Sequence, residues 1–266
     1  MAANITELFS SGFQVQKDFV PTPVVEKAKD EIMAFEVKNG ESDVLLNAID
    51  EPVVTVFVAG YKNEQAICPL SRLPKVKDIV DAAVKDVIER FNPYNLFAYE
   101  ITVFKKKMGS PELKLHQDSW YHPFILSEKK FEYFSYYIPL TEYDGDSSKL
   151  GLVDWTDIDL EKVYNERHII NGSVLDSNSK KPDLNADNLT VKYPNMRAGD
   201  CCVFEIRTPH NSLAHVSKQD RYALSIRFGA CRPEYEVTQL SRANFVKQLR
   251  EQGSDAFYWV RRPGKQ

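Results

Sequence analysis

The chain has 266 residues, a formal net charge of −4, 43% hydrophobic residues and 12% aromatic residues. This length and composition allow one large core, and sandwiches or barrels of this size often form a single domain. No long uncharged apolar run is present to span a membrane, the N-terminus lacks a secretory pattern, and no basic stripe suits nucleic acid. The four cysteines lack the spacing of a metal site or a disulfide framework, which predicts reduced thiols in a cytoplasmic protein.

Residues 1–95 are predicted to form a mixed scaffold of helices and strands. A strand over 13–20 precedes a helix, for which Thr22 and Pro23 supply a cap and a first-turn proline. That helix is predicted to end at residues 39–40, a strand follows over 52–59, and a second helix runs from Pro74 to about residue 92. Apolar residues recur at helical spacing in both helices, so both are expected to pack on a sheet.

Residues 96–230 show a run of short strands instead. The predicted strands cover 96–104, the segment around His116, 131–140, 150–155, 189–193, 201–206 and 221–228. A polar stretch over 161–187 is expected to be a surface insert, and residues 231–266 are expected to form a helix (237–249) and a tail. Helices followed by many short strands predict a single, mainly β domain, an antiparallel sandwich with flanking helices.

A short motif in the second of these strands carries the clearest chemistry. His116 and Asp118 are two residues apart, and residues at this spacing in a strand point to the same face. A second histidine, His210, follows much later in the chain. Two imidazoles and one carboxylate bind one face of a divalent metal and leave the opposite face open, which suits a non-haem ferrous oxygenase.

The last predicted strand supplies a cation for the same site. Arg221 presents a planar fork that can hold the far carboxylate of a dicarboxylic acid. We expect its strand to neighbour the strand that ends near His210, which would bring Arg221 close to the metal. Arg227 has the same strand parity and is a weaker candidate for binding a substrate anion. The lysine run 105–107 is expected to be a solvated loop end.

Taken together, these motifs resemble the phytanoyl-CoA dioxygenase-like branch of the iron- and 2-oxoglutarate-dependent oxygenases. The resemblance covers roughly residues 96–230. The motifs that carry it are, in chain order, Leu115-His116-Gln117-Asp118, Tyr121, Pro123-Phe124, Gly199-Asp200, His210 with Ser212, and Arg221. The Gly-rich segment ending in Pro-Gly-Ser-His that this family often carries has no counterpart near residues 147–155, so no particular substrate is implied.

The resemblance implies a double-stranded β-helix, a cupin-like jelly roll, that holds Fe(II) and uses 2-oxoglutarate and dioxygen. Three residues would bind the metal and form the catalytic centre: His116, Asp118 and His210. Arg221 would pair with the far carboxylate of 2-oxoglutarate, Ser212 would add a hydrogen bond there, and Tyr137 would lie beside the cosubstrate. Halogenating relatives replace the carboxylate with a small residue, so the presence of Asp118 favours hydroxylation or another oxidation.

Plainer interpretations stay open for the metal-binding residues. His116 and Asp118 also match a buried imidazole with a carboxylate partner. His215 competes with His210 as the third ligand, but it lies only six residues before Arg221, closer than the family spacing. His122 is more typical of a surface or supporting residue.

The expected function is oxidation of a small organic molecule, coupled to oxidative decarboxylation of 2-oxoglutarate. The expected protein is cytoplasmic, a monomer or small homo-oligomer, without nucleic-acid or membrane partners. Two alternatives remain, namely a protein or peptide hydroxylase of the same fold, and a non-catalytic jelly-roll binding module that keeps the metal site as a relic.

Overall fold

The computed structural model describes residues 10–39, 53–58, 65–92, 94–118, 131–143, 148–158, 189–231 and 258–259. The helices are α1 (Thr22–Asn39) and α2 (Pro74–Arg90), and the strands are β1 (Phe13–Gln16), β2 (Val53–Val58), β3 (Gln65–Pro69), β4 (Asn95–Lys106), β5 (Leu113–His116), β6 (Phe131–Pro139), β7 (Leu150–Val153), β8 (Val191–Lys192), β9 (Cys201–Glu205), β10 (His210–Ser212), β11 (Arg221–Cys231) and β12 (Tyr258–Trp259). The predicted insert at 161–187, the predicted helix at 237–249 and the motif residues at 120–124 lie outside the described residues.

A side chain of helix α1 caps the N-terminus of helix α2. Helix α2 begins at Pro74, whose ring fixes the first-turn φ and whose missing N–H needs no partner. The residue before it gives no side-chain cap. Instead the Glu31 carboxylate on α1 accepts from the backbone N–H of Lys75 at 2.8 Å and of Val76 at 3.4 Å. A carboxylate at a helix N-terminus is favoured by the helix dipole, so this contact fixes α1 against α2.

The strands form two sheets. The major, eight-stranded sheet has the order β1-β9-β6-β11-β4-β2-β3, with β12 pairing to β4, and the minor sheet has the order β5-β10-β7-β8. The recorded pairings are antiparallel apart from the parallel pair β2–β4. This is the predicted jelly-roll architecture, with the helices packed on the outer face of the major sheet.

Strand β11 shows how alternation separates two environments. Its residues Leu224 and Ile226 belong to the apolar cluster that includes both helices. Its residue Ala223 belongs to a second cluster, which contains Leu152 of the minor sheet. Successive strand residues point to opposite faces, so the odd-numbered residues of β11 face the space between the two sheets. The candidate site lies in that space.

The expectation that the strand of Arg221 neighbours the strand ending near His210 is wrong. Strand β9, which ends shortly before His210, pairs with β1 and β6, whereas β11 pairs with β4 and β6. His210 itself begins the separate strand β10 in the minor sheet. Arg221 therefore approaches the site from the opposite sheet, an arrangement that chain order alone does not specify.

The Gly199-Asp200 motif proves to be a structural turn into β9. The buried Asp200 carboxylate accepts from the backbone N–H of Asp18 and of Arg197, both at 2.9 Å, and from the Lys17 ammonium at 2.8 Å. Asp18 has a positive φ of 53°. Strand β1 therefore ends at Gln16 and not at residue 20, because the chain turns here to reach Asp200.

Candidate active site

Strand pairing brings the two histidines together. Strands β5 and β10 are antiparallel neighbours, and His116 and His210 are direct register partners. Their ring centroids lie 4.2 Å apart. Asp118 lies two residues beyond the end of β5, and one ligand atom from each of His116, Asp118 and His210 lies within 4.8 Å of the others. All three side chains are buried. The residues predicted as metal ligands from the sequence therefore form one cluster.

Both histidines are oriented in the same way. The Nδ1 atom of His116 lies 2.8 Å from the carbonyl oxygen of Lys114, and Nδ1 of His210 lies 2.9 Å from that of Thr208. A ring nitrogen that faces a carbonyl carries the proton, so the lone pair of each ring is on Nε2. Metal-binding histidines commonly donate their other N–H to a backbone carbonyl in this way. The local geometry therefore suits metal binding better than a simple structural His–Asp pair.

The two oxygens of the Asp118 carboxylate contact different neighbours. Its Oδ2 atom accepts from Nε of Arg227 at 3.1 Å and lies 3.0 Å from Nη2 of the same side chain. Its Oδ1 atom faces Nε2 of His210 at 3.6 Å. With Oδ2 held by the guanidinium, Oδ1 is the oxygen directed at the cluster. Asp118 is therefore arranged to bind a metal through one oxygen.

Arg227 is tied to two carboxylates and not left for a substrate anion. Besides Asp118, it forms an ion pair with Glu100 through Nη1. Burial alone would lower the pKa of Arg227, but the two carboxylates outweigh burial and raise that pKa above its ordinary value. One cation between two carboxylates leaves the group with a formal charge of −1. A divalent cation would more than offset this negative charge, so the donor set and the sign of the charge both fit a metal ion.

A second subsite surrounds Arg221. This side chain is 3% exposed, and its Nη1 donates to the carbonyl oxygen of Ser148 at 3.2 Å. Its Nε has no hydrogen-bond partner within the described part of the chain. The hydroxyls of Ser148 and Ser212 are 3.5 Å apart. A buried guanidinium with an unused N–H is costly unless an acceptor joins it, so this subsite fits a carboxylate.

Two tyrosines line the same subsite. The hydroxyl of Tyr137, the residue predicted beside the cosubstrate, lies 3.0 Å from that of Tyr143. Burial raises the pKa of Tyr143 well above its ordinary value, Tyr137 raises it further, and the nearby charge of Arg221 opposes both. The Tyr143 phenol therefore stays protonated and can donate a hydrogen bond. The sequence motifs did not indicate Tyr143 or Ser148, because neither belongs to the ordered pattern.

His215 is not part of the metal cluster. Its Nδ1 accepts from the backbone N–H of Ser148 at 3.2 Å, and its Nε2 donates to the carbonyl oxygen of Gln219 at 2.7 Å. Its own backbone is bonded to Gly109 and Ser110. Both ring nitrogens are therefore occupied, and the buried His215 holds in place the segment that positions Ser148.

Lys106 is the functional candidate that the sequence interpretation missed. The lysine run was expected to be solvated, but Lys106 is 1% exposed. Its ammonium donates to the carbonyl oxygens of Leu213 at 2.7 Å, Pro111 at 3.1 Å and Ser212 at 3.3 Å. Burial lowers its pKa to about 7, and the charge of Arg221 acts in the same direction. The sequence signal that could have indicated this burial is the alternation along β4, because Lys106 lies on the same face of the strand as Thr102.

Comparison with known proteins identifies the fold. No protein-family model matches the chain, and no curated protein matches it. Three of the solved structures that are similar to this chain share 12% to 14% identity with it. The non-heme alpha ketoglutarate dependent carbocyclase SnoK from nogalamycin biosynthesis has a TM-score of 0.56 at 14% identity, with 91% of this chain and 90% of that chain covered. AviO1 from Streptomyces viridochromogenes Tue57 has a TM-score of 0.55 at 12% identity, with 88% and 95% covered.

The third is the non-heme monooxygenase ThoJ in its apo form, which has a TM-score of 0.55 at 14% identity, with 86% of this chain and 77% of that chain covered. These likenesses confirm the predicted double-stranded β-helix, the fold of non-haem enzymes that depend on α-ketoglutarate, another name for 2-oxoglutarate. Among the described residues, no helix has the length and apolar character needed to cross a membrane.

Proposed function

We propose that this protein is an Fe(II)- and 2-oxoglutarate-dependent oxygenase that oxidises a C–H bond of a small organic molecule. The observation that carries the proposal is the buried cluster of His116, Asp118 and His210, whose ligand atoms lie within 4.8 Å of one another. The Arg221 subsite, with its unused N–H, supports it. The names of the similar structures agree, since SnoK is described as alpha ketoglutarate dependent and ThoJ as a non-heme monooxygenase.

Each residue has a defined task in this proposal. The Nε2 atoms of His116 and His210 and the Oδ1 atom of Asp118 would hold iron on one face. Bound iron and 2-oxoglutarate supply the activation of dioxygen and the oxidising power. Arg221 would hold the far carboxylate of 2-oxoglutarate through its planar fork.

The hydroxyl groups around Arg221 complete the cosubstrate site. Ser212 and Tyr137 would donate hydrogen bonds to the same carboxylate, and the raised pKa of Tyr143 keeps its phenol protonated beside them. The apolar cluster of Leu152, Phe204 and Ala223 lies between the sheets and would exclude water from the oxidation.

Burial of the cluster favours a small substrate. His116, Asp118 and His210 are between 4% and 7% exposed. A target must enter the space between the sheets to meet the metal, and a free small molecule does this more readily than a residue of a folded protein. We also propose a single domain and a cytoplasmic location, which the buried free thiols of Cys68, Cys201 and Cys202 support.

An anaerobic titration with ferrous iron and 2-oxoglutarate tests the proposal, monitored by the visible charge-transfer band of the chelate. We expect a band that requires both components and is lost in His210→Ala. Arg221→Ala should need far more 2-oxoglutarate to reach the same band, whereas the exposed Arg197→Ala should behave as wild type. Iron binding without any band in the wild type would refute 2-oxoglutarate as the cosubstrate.

Turnover separates the catalytic proposal from the binding module. Slow conversion of 2-oxoglutarate to succinate without added substrate is expected from an intact oxygenase. A relic metal site would give no succinate with iron bound. Stimulation of succinate release by peptides but not by small molecules would favour the peptide hydroxylase.

A further inference from the structure

Two buried cations lie side by side at the proposed cosubstrate site. Lys106 on β4 and Arg221 on β11 are direct register partners of the major sheet. They are 1% and 3% exposed. We propose that Lys106 is a positioning residue for the far carboxylate of 2-oxoglutarate, acting through the backbone of Ser212 and through its positive charge. This inference rests on the proposed function and adds a residue that the oxygenase motifs do not contain.

Neither buried cation has an ion-pair partner among the described residues, and the attraction of Glu112 raises the pKa of Lys106 by less than burial lowers it. Burying a charge without such a partner is unfavourable, and two like charges on adjacent strands increase the cost. A carboxylate bound at Arg221 would be attracted by both charges and would offset one of them. The pair therefore fits an anion better than Arg221 would alone.

The hydrogen bonds show that Lys106 acts indirectly. An ammonium has three donors, and those of Lys106 reach the carbonyl oxygens of Pro111, Ser212 and Leu213. No donor is left for a ligand. Lys106 instead joins the end of β10 to the segment before β5, and so fixes the backbone from which the Ser212 hydroxyl projects.

The same contacts connect back to Arg221. The Ser212 hydroxyl lies 3.5 Å from that of Ser148, whose carbonyl oxygen accepts from Arg221. Lys106, Ser212, Ser148 and Arg221 are thus connected by a continuous series of contacts that ends at the guanidinium of Arg221. Loss of the Lys106 charge would weaken one of these contacts and lower the positive potential beside Arg221.

The test compares two keto acids on the iron-loaded protein under argon. 2-Oxoglutarate carries the far carboxylate, whereas 2-oxobutyrate has the same metal-binding end without it. The variants are Lys106→Met, which removes the charge, and Lys106→Arg, which keeps it. Lys105→Met is the matched control, because the Lys105 ammonium pairs with Asp220 and lies over the Tyr222 ring, on the other face of the strand.

We expect Lys106→Met to weaken 2-oxoglutarate binding about 10- to 100-fold, a loss comparable with that found when a residue that orients a metal-binding side chain is removed. The affinities for 2-oxobutyrate and for ferrous iron should remain at the wild-type level. Lys106→Arg should recover most of the 2-oxoglutarate affinity, and Lys105→Met should change neither keto acid.

Other outcomes overturn the inference. Equal weakening of both keto acids, or loss of iron affinity, would assign Lys106 to general packing, and unchanged 2-oxoglutarate affinity would remove it from the site. If Lys106→Met does not fold, Lys106→Gln retains donors for the carbonyls without the charge, and the same criteria apply to it. A wild-type protein that binds iron but not 2-oxoglutarate would refute the proposed function itself and this inference with it.

Discussion

Replacing Arg227 with Gln tests the charge balance of the candidate metal site. Arg227 is buried, donates to Asp118 and pairs with Glu100, so its removal takes away the cation that bridges these two carboxylates. Breaking a buried ion pair by removing one partner typically costs about 3–5 kcal/mol. We expect a loss of this size in the free energy of unfolding of the metal-free Arg227→Gln protein. A bound divalent cation should restore part of it, because the cation compensates the charge of Asp118.

Urea unfolding, followed by tryptophan fluorescence, measures this free energy with and without Mn(II). The exposed Arg197→Gln is the control, because surface ion pairs such as that of Arg197 with Asp18 contribute little to stability. If Arg227→Gln loses no more stability than Arg197→Gln, the reasoning from charge balance is refuted. A metal-independent loss would show that Arg227 has a packing role without a link to the metal.

Three further predictions concern stability. Burial raises the pKa of Glu205 to about 7, although Arg207 acts in the opposite direction. The contribution of Glu205 to the free energy of unfolding therefore falls as the pH rises from about 4.5 to about 7. Glu205→Gln should remove this fall when unfolding is measured as a function of pH. The pKa of Lys106 is lowered from 10.5 to about 7. The contribution of Lys106 to the free energy of unfolding therefore rises with pH between these two values, and Lys106→Met should abolish that rise in the same assay. Gly199 and Gly109 both have a positive φ, but an added Cβ meets a backbone oxygen at 2.3 Å only at Gly199. Thermal unfolding should therefore show Gly199→Ala less stable than Gly109→Ala by about 1–3 kcal/mol.

The sequence predicts the elements that carry a strong local period. Helix α2 was expected from Pro74, where it begins, because its apolar residues repeat at helical spacing and proline fixes the first turn. The spacing of His116 and Asp118 also predicted that their side chains converge, and they do, although Asp118 lies beyond the end of β5 and not within the strand. These predictions depend on neighbouring residues alone, which is why they hold.

The sequence does not predict which distant strands pair, and the reason is physical. Whether β11 lies beside β9 or beside β4 depends on the packing of whole sheets, and nothing near Arg221 encodes that choice. Ser148 and Lys106 lie near Arg221 only because segments that are distant in the sequence are adjacent in the fold. The burial of Lys106 in particular depends on carbonyl groups near residues 111 and 212, which its own segment does not contain.

The central claim is that His116, Asp118 and His210 bind one divalent metal beside a 2-oxoglutarate site at Arg221. A crystal structure of the protein soaked anaerobically with Mn(II) and 2-oxoglutarate tests it directly. We expect one anomalous peak contacted by these three side chains, with the far carboxylate of 2-oxoglutarate on Arg221. A metal bound elsewhere, or 2-oxoglutarate bound away from Arg221, would contradict it.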